Sequence, residues 1–150
     1  MIKAEVLGGN AVIAKLENYP VAFQNRLERV IKRLAVDLQI YIKAHKLSGQ
    51  VLKNRSGTLR RSVNQQVKKT GNDVIATVGA NTPYAGRHEF GFTGTENVKA
   101  FIRNVKGKPQ SVKGFSRHIN YPAHSYMRTG LADMKDEILA SMKTAIKDPK

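Results

Sequence analysis

Four histidines, His45, His88, His118 and His124, are the side chains of this 150-residue chain best suited to ligate a metal or carry a proton near neutral pH. Either task needs partners at set spacings. His88-Glu89 lacks the second histidine that a zinc-protease helix presents four positions on. His118 and His124 flank Tyr121-Pro122, with no carboxylate close by in sequence to complete a ligand set. Surface or loop histidines are the plainer reading. Cysteine is absent, which removes disulfides, thiolate metal sites and a cysteine nucleophile, and fits synthesis in a reducing cytoplasm. Gly8-Gly9 is surrounded by neither a phosphate-loop Lys-Ser/Thr nor a dinucleotide fingerprint. Asp133, Asp136 and Glu137 fall in what reads as the early part of a helix, where the N-terminal dipole and solvation explain them more simply than catalysis. The expectation is a protein without catalytic residues, metal or cofactor.

Charge is the dominant compositional feature: +15 formal, with a pI near 10.3. Such an excess attracts polyanions, whether nucleic acid, anionic lipid or acidic protein. Two stretches concentrate it, because no acidic residue occurs from Leu38 to Asn72 or from Asn97 to Ala132. The second stretch interleaves Lys99, Phe101, Arg103, Phe115 and Arg117, as single-strand binders do, which makes a basic nucleic-acid-binding module the alternative reading. The plainer explanation is that Phe101 and Phe115 pack across a hairpin while the cations are solvated. No helix-turn-helix, zinc-finger or ribonucleoprotein signature is present. Apolar runs are broken by charge every few residues, and none develops before Gly8-Gly9, so neither a membrane span nor a secretory signal is expected.

The elements that must position these residues follow from periodicity. Residues 2–7 read as a short strand or extended arm, and Ala11 to Glu17 as one or two helical turns stopped by Asn18-Tyr19-Pro20. Phe23, Leu27, Val30, Ile31, Leu34, Leu38 and Tyr41 recur at spacings of three and four, which predicts a helix from Val21 to Lys46. Glu28 and Lys32 on it are ordered for an i,i+4 contact. After a polar loop, Ser62 to Val67 and Val74 to Val78 alternate as strands, with Gly71-Asn72 as the hairpin turn. Val98 to Val105 and Val112 to Ile119 read as a second, long basic hairpin around residues 106–110. Met127, Leu131, Met134, Ile138, Met142 and Ala145 mark a C-terminal amphipathic helix closed before Asp148-Pro149. The expected fold is a single α+β domain, an antiparallel sheet packed on one face by both helices, with residues 97–120 projecting.

Four stretches, in order, resemble the neck and tail-component proteins encoded between the head and tail genes of long-tailed double-stranded DNA phages. The opening residues 2–8 with Ala14-Lys15-Leu16 are similar to that family's strand, glycine and small helix. Leu47 to Val63 contains its Thr/Ser-Gly-x-Leu-Arg-x-Ser core as Ser56-Gly57-Thr58-Leu59-Arg60-Arg61-Ser62. Tyr84-Ala85-Gly86-Arg87-His88-Glu89-Phe90-Gly91 resembles its Tyr-Ala-x-x-x-Glu-Phe-Gly element. Residues 121–127 sit where the family has Pro-x-Arg-Pro-Phe-Leu, although His124-Ser125-Tyr126 replaces Arg-Pro-Phe, and the basic hairpin is longer than a minimal member needs.

The resemblance implies a non-enzymatic virion protein, made in the host cytoplasm. Its copies would form a ring, expected to be sixfold, that completes the tail or joins it to the head. The implied partners are itself, head-closure or connector proteins, and tail terminator or tail tube proteins, with transient contact with packaged DNA and no membrane. Contacts are expected from residues 47–62 and 97–120, in particular Leu52, Arg55, Leu59, Arg60, Arg61, Phe101, Arg103, Phe115 and Arg117, together with Glu89, Phe90 and Tyr126. Gly57 is expected to hold a turn closed to other residues, with Leu59 inward and Arg60 and Arg61 outward. Glu89 is expected to pair with Arg60, Arg61 or a neighbouring subunit, a contact contributing under about 1 kcal/mol if solvated. A small nuclease using His88 and Glu89 is the third reading.

Overall fold

A computed structural model describes residues 2–5, for which only the backbone is considered, and residues 21–52, 56–71 and 73–147. The predicted turns over residues 8–20, Arg55, Asn72 and Asp148-Pro149 lie outside the described residues. The longest amphipathic stripe forms α1, Val21–Tyr41, prolonged by a π-type turn over Ile42–Lys46. The Leu47 N–H donates to the Ile42 carbonyl at 3.1 Å, five residues back, and this wider turn ends the helix. Its freed carbonyls are met by side chains from the following loop: Ser48 and Arg60 donate to the Lys43 carbonyl and Gln50 to that of Ala44.

Gly57, at φ 68°, opens the short helix α2, Thr58–Ser62. It does what its place in the loop predicted. Leu59 packs against the core, Arg60 and Arg61 stay exposed, and the Arg61 N–H donates to the Gly57 carbonyl. Strands β2, Val63–Thr70, and β3, Asp73–Ala80, then pair antiparallel from Val63↔Ala80 to Thr70↔Asp73. β1, Ile2–Glu5, adds to the other side of β3, giving the order β1-β3-β2. Alternation along β2 puts Val63 inward and Asn64 outward.

The C-terminal stripe forms α4, Tyr126–Lys147. It runs antiparallel to α1: Phe23 and Leu27 meet Ala145 at one end, and Ile42 meets Gly130 at the other. A Cβ on Gly130 would lie 2.7 Å from Ile42 Cγ1, so a side chain there would hold the helices apart. α1 covers β2 and β3, while α4 packs mainly on α1 and its π-type turn. Both helices, as expected, enclose one core with the sheet, α4 reaching it through Tyr126, Met127 and Met134. The main core joins Leu38, Ile42, Leu47, Val63, Val78, Ala80, Tyr126, Met127 and Met134. Burying a side chain of this size contributes about 1.5–3 kcal/mol, which outweighs the tenths per residue that helix propensity supplies.

Between the sheet and α4 stands α3, Ala85–Phe90, followed by the second hairpin. That hairpin starts earlier than predicted and is broken in the middle. β4, Phe92–Val98, pairs with β7, Phe115–Tyr121; beyond a break at Lys99–Ala100 and Lys113–Gly114, β5, Phe101–Val105, pairs with β6, Lys108–Val112. Its tip is a two-residue turn, with φ 51° at Lys106 and 82° at Gly107, in place of the five-residue loop expected. Pro109 sits inside β6, where a two-stranded ribbon has only edges and a missing N–H costs little.

Candidate functional site

The helix N-terminus of α4 is built by a residue far away in sequence. Glu89, at the end of α3, is fully buried, and its carboxylate accepts from the backbone N–H groups of Met127 at 2.8 Å and Arg128 at 3.0 Å. These are donors that an N-cap side chain normally satisfies. Ser125, placed to cap its own helix, instead donates to the Glu89 carbonyl at 2.9 Å. Arg128 closes over the site: Nε donates to the Glu89 carboxylate at 3.1 Å and Nη2 to the Glu89 carbonyl and to Ser125 Oγ. The partner of Glu89 is thus Arg128, and neither Arg60 nor Arg61. A buried carboxylate is stabilised by oriented backbone donors and the helix dipole, which two exposed arginines on α2 could not supply. Asp133, for its part, pairs with Lys46 at 2.7 Å and accepts from the Tyr41 hydroxyl. It therefore bridges α4 to α1 and does not serve the helix dipole.

The backbone around Glu89 is equally tied. The His124 N–H donates to the His88 carbonyl at 2.7 Å. Gly91, at φ 75°, passes so close to residues 121–123 that a Cβ would lie 2.8 Å from the Tyr121 oxygen and 2.9 Å from the Ala123 nitrogen. Only glycine fits there. Tyr126 is also fully buried, beside Glu89, and its hydroxyl has no hydrogen-bond partner among the described residues. Burial, then the Glu89 and Tyr84 charges, push its phenol well above the usual range.

Between α3 and the root of the hairpin lies an open cleft of about 230 Å³, lined by Tyr84, Arg87, His88, Phe92, Glu96, Arg117 and Tyr121, among others. Glu96 takes Arg117 at 2.7 Å and Arg87 at 2.9 Å, and these two hydrogen-bonded partners, Arg117 first, hold its carboxyl below the usual range. His88 Nδ1 lies 2.8 Å from the Tyr121 hydroxyl. Burial, with a smaller effect of His124, lowers the His88 pKa, so the ring is neutral at pH 7. Its ring neighbours are Tyr84 and Tyr121, and Tyr121 in turn meets His124. This is a packed aromatic row, in which the His88 ring is paired with the Tyr121 hydroxyl. Among the described residues no three His, Cys, Asp or Glu side chains are grouped to hold a metal.

The remaining expected residues divide by exposure. Leu52 and Leu59 pack half-buried on the core, and Glu89 and Tyr126 are enclosed within the chain. Phe90 is 60% exposed, with the Arg128 guanidinium 5.1 Å from its ring centre. Arg61, Phe101, Arg103 and Phe115 are exposed. Phe101 opposes Val112 and Phe115 opposes Val98, so the two aromatics flank the break in the ribbon and do not face each other. The sequence pattern did not single out Arg128 or Ser125, and no local signal marks them, since their partner lies on another element.

A family model described as "Bacteriophage HK97-gp10, putative tail-component" matches residues 10–91, just over half of the chain. The match runs through α1, the loop at 47–62, the β2–β3 hairpin and α3, and ends at Gly91. Neither a curated protein nor a solved structure matches.

Proposed function

The chain belongs to the HK97-gp10-like family of bacteriophage tail components, and from that premise we propose that it is a structural protein of the virion, assembling as a ring in the neck or head-proximal tail. The family match carries this reading. The geometry is compatible with it: His88 and Glu89, the pair that the nuclease reading would need, are engaged in an aromatic row and a helix cap. A ring requires heterologous interfaces that close by rotation. We assign those contacts to Arg61 and its loop, to exposed Phe90, and to the ribbon residues Phe101 and Phe115. Six copies are expected, set between connector proteins and the tail tube or terminator.

The test is a phage carrying an early stop in this gene, imaged by negative stain. Full heads and tails found apart place the protein at the joint. Joined, normal particles reject the structural role. A second phage, with residues 99–114 replaced by a tight turn, tests the ribbon: a folded product absent from particles is the expected result.

A further inference from the structure

The outer ribbon, β5 and β6, is the part of the molecule least engaged with the rest. Every residue from Lys99 to Ser111 is exposed. It carries Lys99, Arg103, Lys106, Lys108 and Lys113, all exposed and none within ion-pair distance of a carboxylate among the described residues. Arg103 donates instead to the neutral Gln110 side chain, at 3.0 and 2.9 Å. The nearest acid along the chain, Glu96, is already held by Arg87 and Arg117 at the root. Concentrated charge of one sign, projected from the body with no internal counter-charge, calls for an external polyanion.

We propose that the ribbon from Lys99 to Lys113 binds duplex DNA through its phosphates, without reading sequence. Two features favour DNA over an acidic protein. Four of the five cations are lysines, which protein interfaces deplete and phosphate contacts employ as point charges. The shape also fits, because a two-stranded ribbon enters the roughly 12 Å major groove. Five-residue strands extend about 17 Å at about 3.4 Å per residue. That length of duplex presents roughly ten phosphate charges. The inference does not depend on ring assembly.

The experiment measures binding of the full chain to a fluorescein-labelled mixed-sequence duplex by anisotropy, from about 50 to 200 mM salt, where log affinity falls with log salt by about 0.9 per phosphate contact. Five contacts give a slope near −4.5, a loss of several hundredfold over that range. Lys106→Ser/Lys108→Ser/Lys113→Ser is expected to reduce the slope by between about two and three. The matched α4 variant Lys135→Ser/Lys143→Ser/Lys147→Ser is expected to leave it within about one. No binding at the lowest salt, or an equal fall for both variants, overturns the proposal. Displacement of the duplex by polyglutamate at equal charge concentration also overturns it and assigns the ribbon to an acidic polypeptide. Sedimentation of the same variants reads ring formation separately, so the two proposals fail independently.

Discussion

Glu89 offers the sharpest test of how this fold is held. Truncation to alanine leaves the Met127 and Arg128 N–H groups without acceptors at a fully buried position. Each hydrogen bond to a charged acceptor is worth about 1.5–3 kcal/mol, and losing a helix cap costs about 0.5–2 kcal/mol on its own. These overlap, so about 3–5 kcal/mol is the expected loss for Glu89→Ala, the range found on breaking buried charged contacts. Glu89→Gln keeps the volume and one acceptor, and about 2 kcal/mol is expected. Arg128→Ala is different: the arginine side chain is 61% exposed, so its ion pair is solvent-screened and its loss costs about 1 kcal/mol or less. At about 2–4 °C per kcal/mol for a chain of this size, the thermal midpoints fall by roughly 6–20 °C for alanine, half that or less for glutamine, and a few degrees for Arg128→Ala. Circular dichroism at the helix band reads all three. If Arg128→Ala costs as much as Glu89→Ala, the ion pair and not the helix cap holds α4.

Further expectations follow from close approaches and titrations. Gly91→Ala should cost more than about 2 kcal/mol, since its Cβ meets backbone at 2.8 Å, whereas Gly86→Ala, inside the preceding helix α3 with open space around it, should be neutral or gain up to about 1 kcal/mol; paired urea melts compare them. Gly130→Ala should cost about 1–3 kcal/mol by overpacking against Ile42, despite alanine being the better helix former, and combination with Ile42→Ala should be less damaging than the sum by about 0.5–3 kcal/mol. Acidification should lower stability in two windows. His88 takes a proton less readily in the folded chain, so its contribution is complete above about pH 6.5 and is lost as the pH falls through the lower folded value; His88→Gln should flatten that part of a midpoint-versus-pH curve. Glu28 and Glu96, held low by Lys32 and Arg117 first, and Asp133, held low by Lys46 first, add a second decline below about pH 4.5. A midpoint that rises on acidification from about pH 7 to 5.5 would contradict the assignment of His88.

The helices were legible because their signals are local. Seven apolar positions at helical spacing, closed by Leu47-Ser48-Gly49, locate α1 and its end, and the stripe from Met127 to Ala145 does the same for α4. Glu28 and Lys32 indeed meet, at 2.6 Å. The β2–β3 hairpin was legible through two alternating runs separated by Gly71-Asn72 in the sequence. α3 was not, because six residues show too little period to separate from a loop. Nor was the cap on α4. Glu89 and Met127 are 38 positions apart, and nothing local announces that one will serve the other. Residues 84–91 and 121–127, which hold the two partners, resemble a tail-component family as separate motifs. Their contact supplies a physical reason for finding the two in one chain. Pro109 misled in the other direction: read as a loop residue, it lies in a ribbon whose exposed edges tolerate it.

The way the ribbon is rooted bears on what it can transmit. Gly91 packs on residues 121–123 at its start, and His124 donates to the His88 carbonyl at its end, so both strands leave the body beside the same buried carboxylate. Arg87 and Arg117 fasten the first rungs through Glu96. Beyond the break at residues 99–100, comparable ion pairs cease among the described residues. The contacts that fasten the ribbon to the body are thus concentrated at its root. In a ring, copies of a chain carrying +15 repel one another at contact, because a Debye length of about 8 Å does not screen touching surfaces. Phosphates gathered by the ribbons would offset that repulsion. If both proposals hold, a ring holding DNA would be more stable than an empty one.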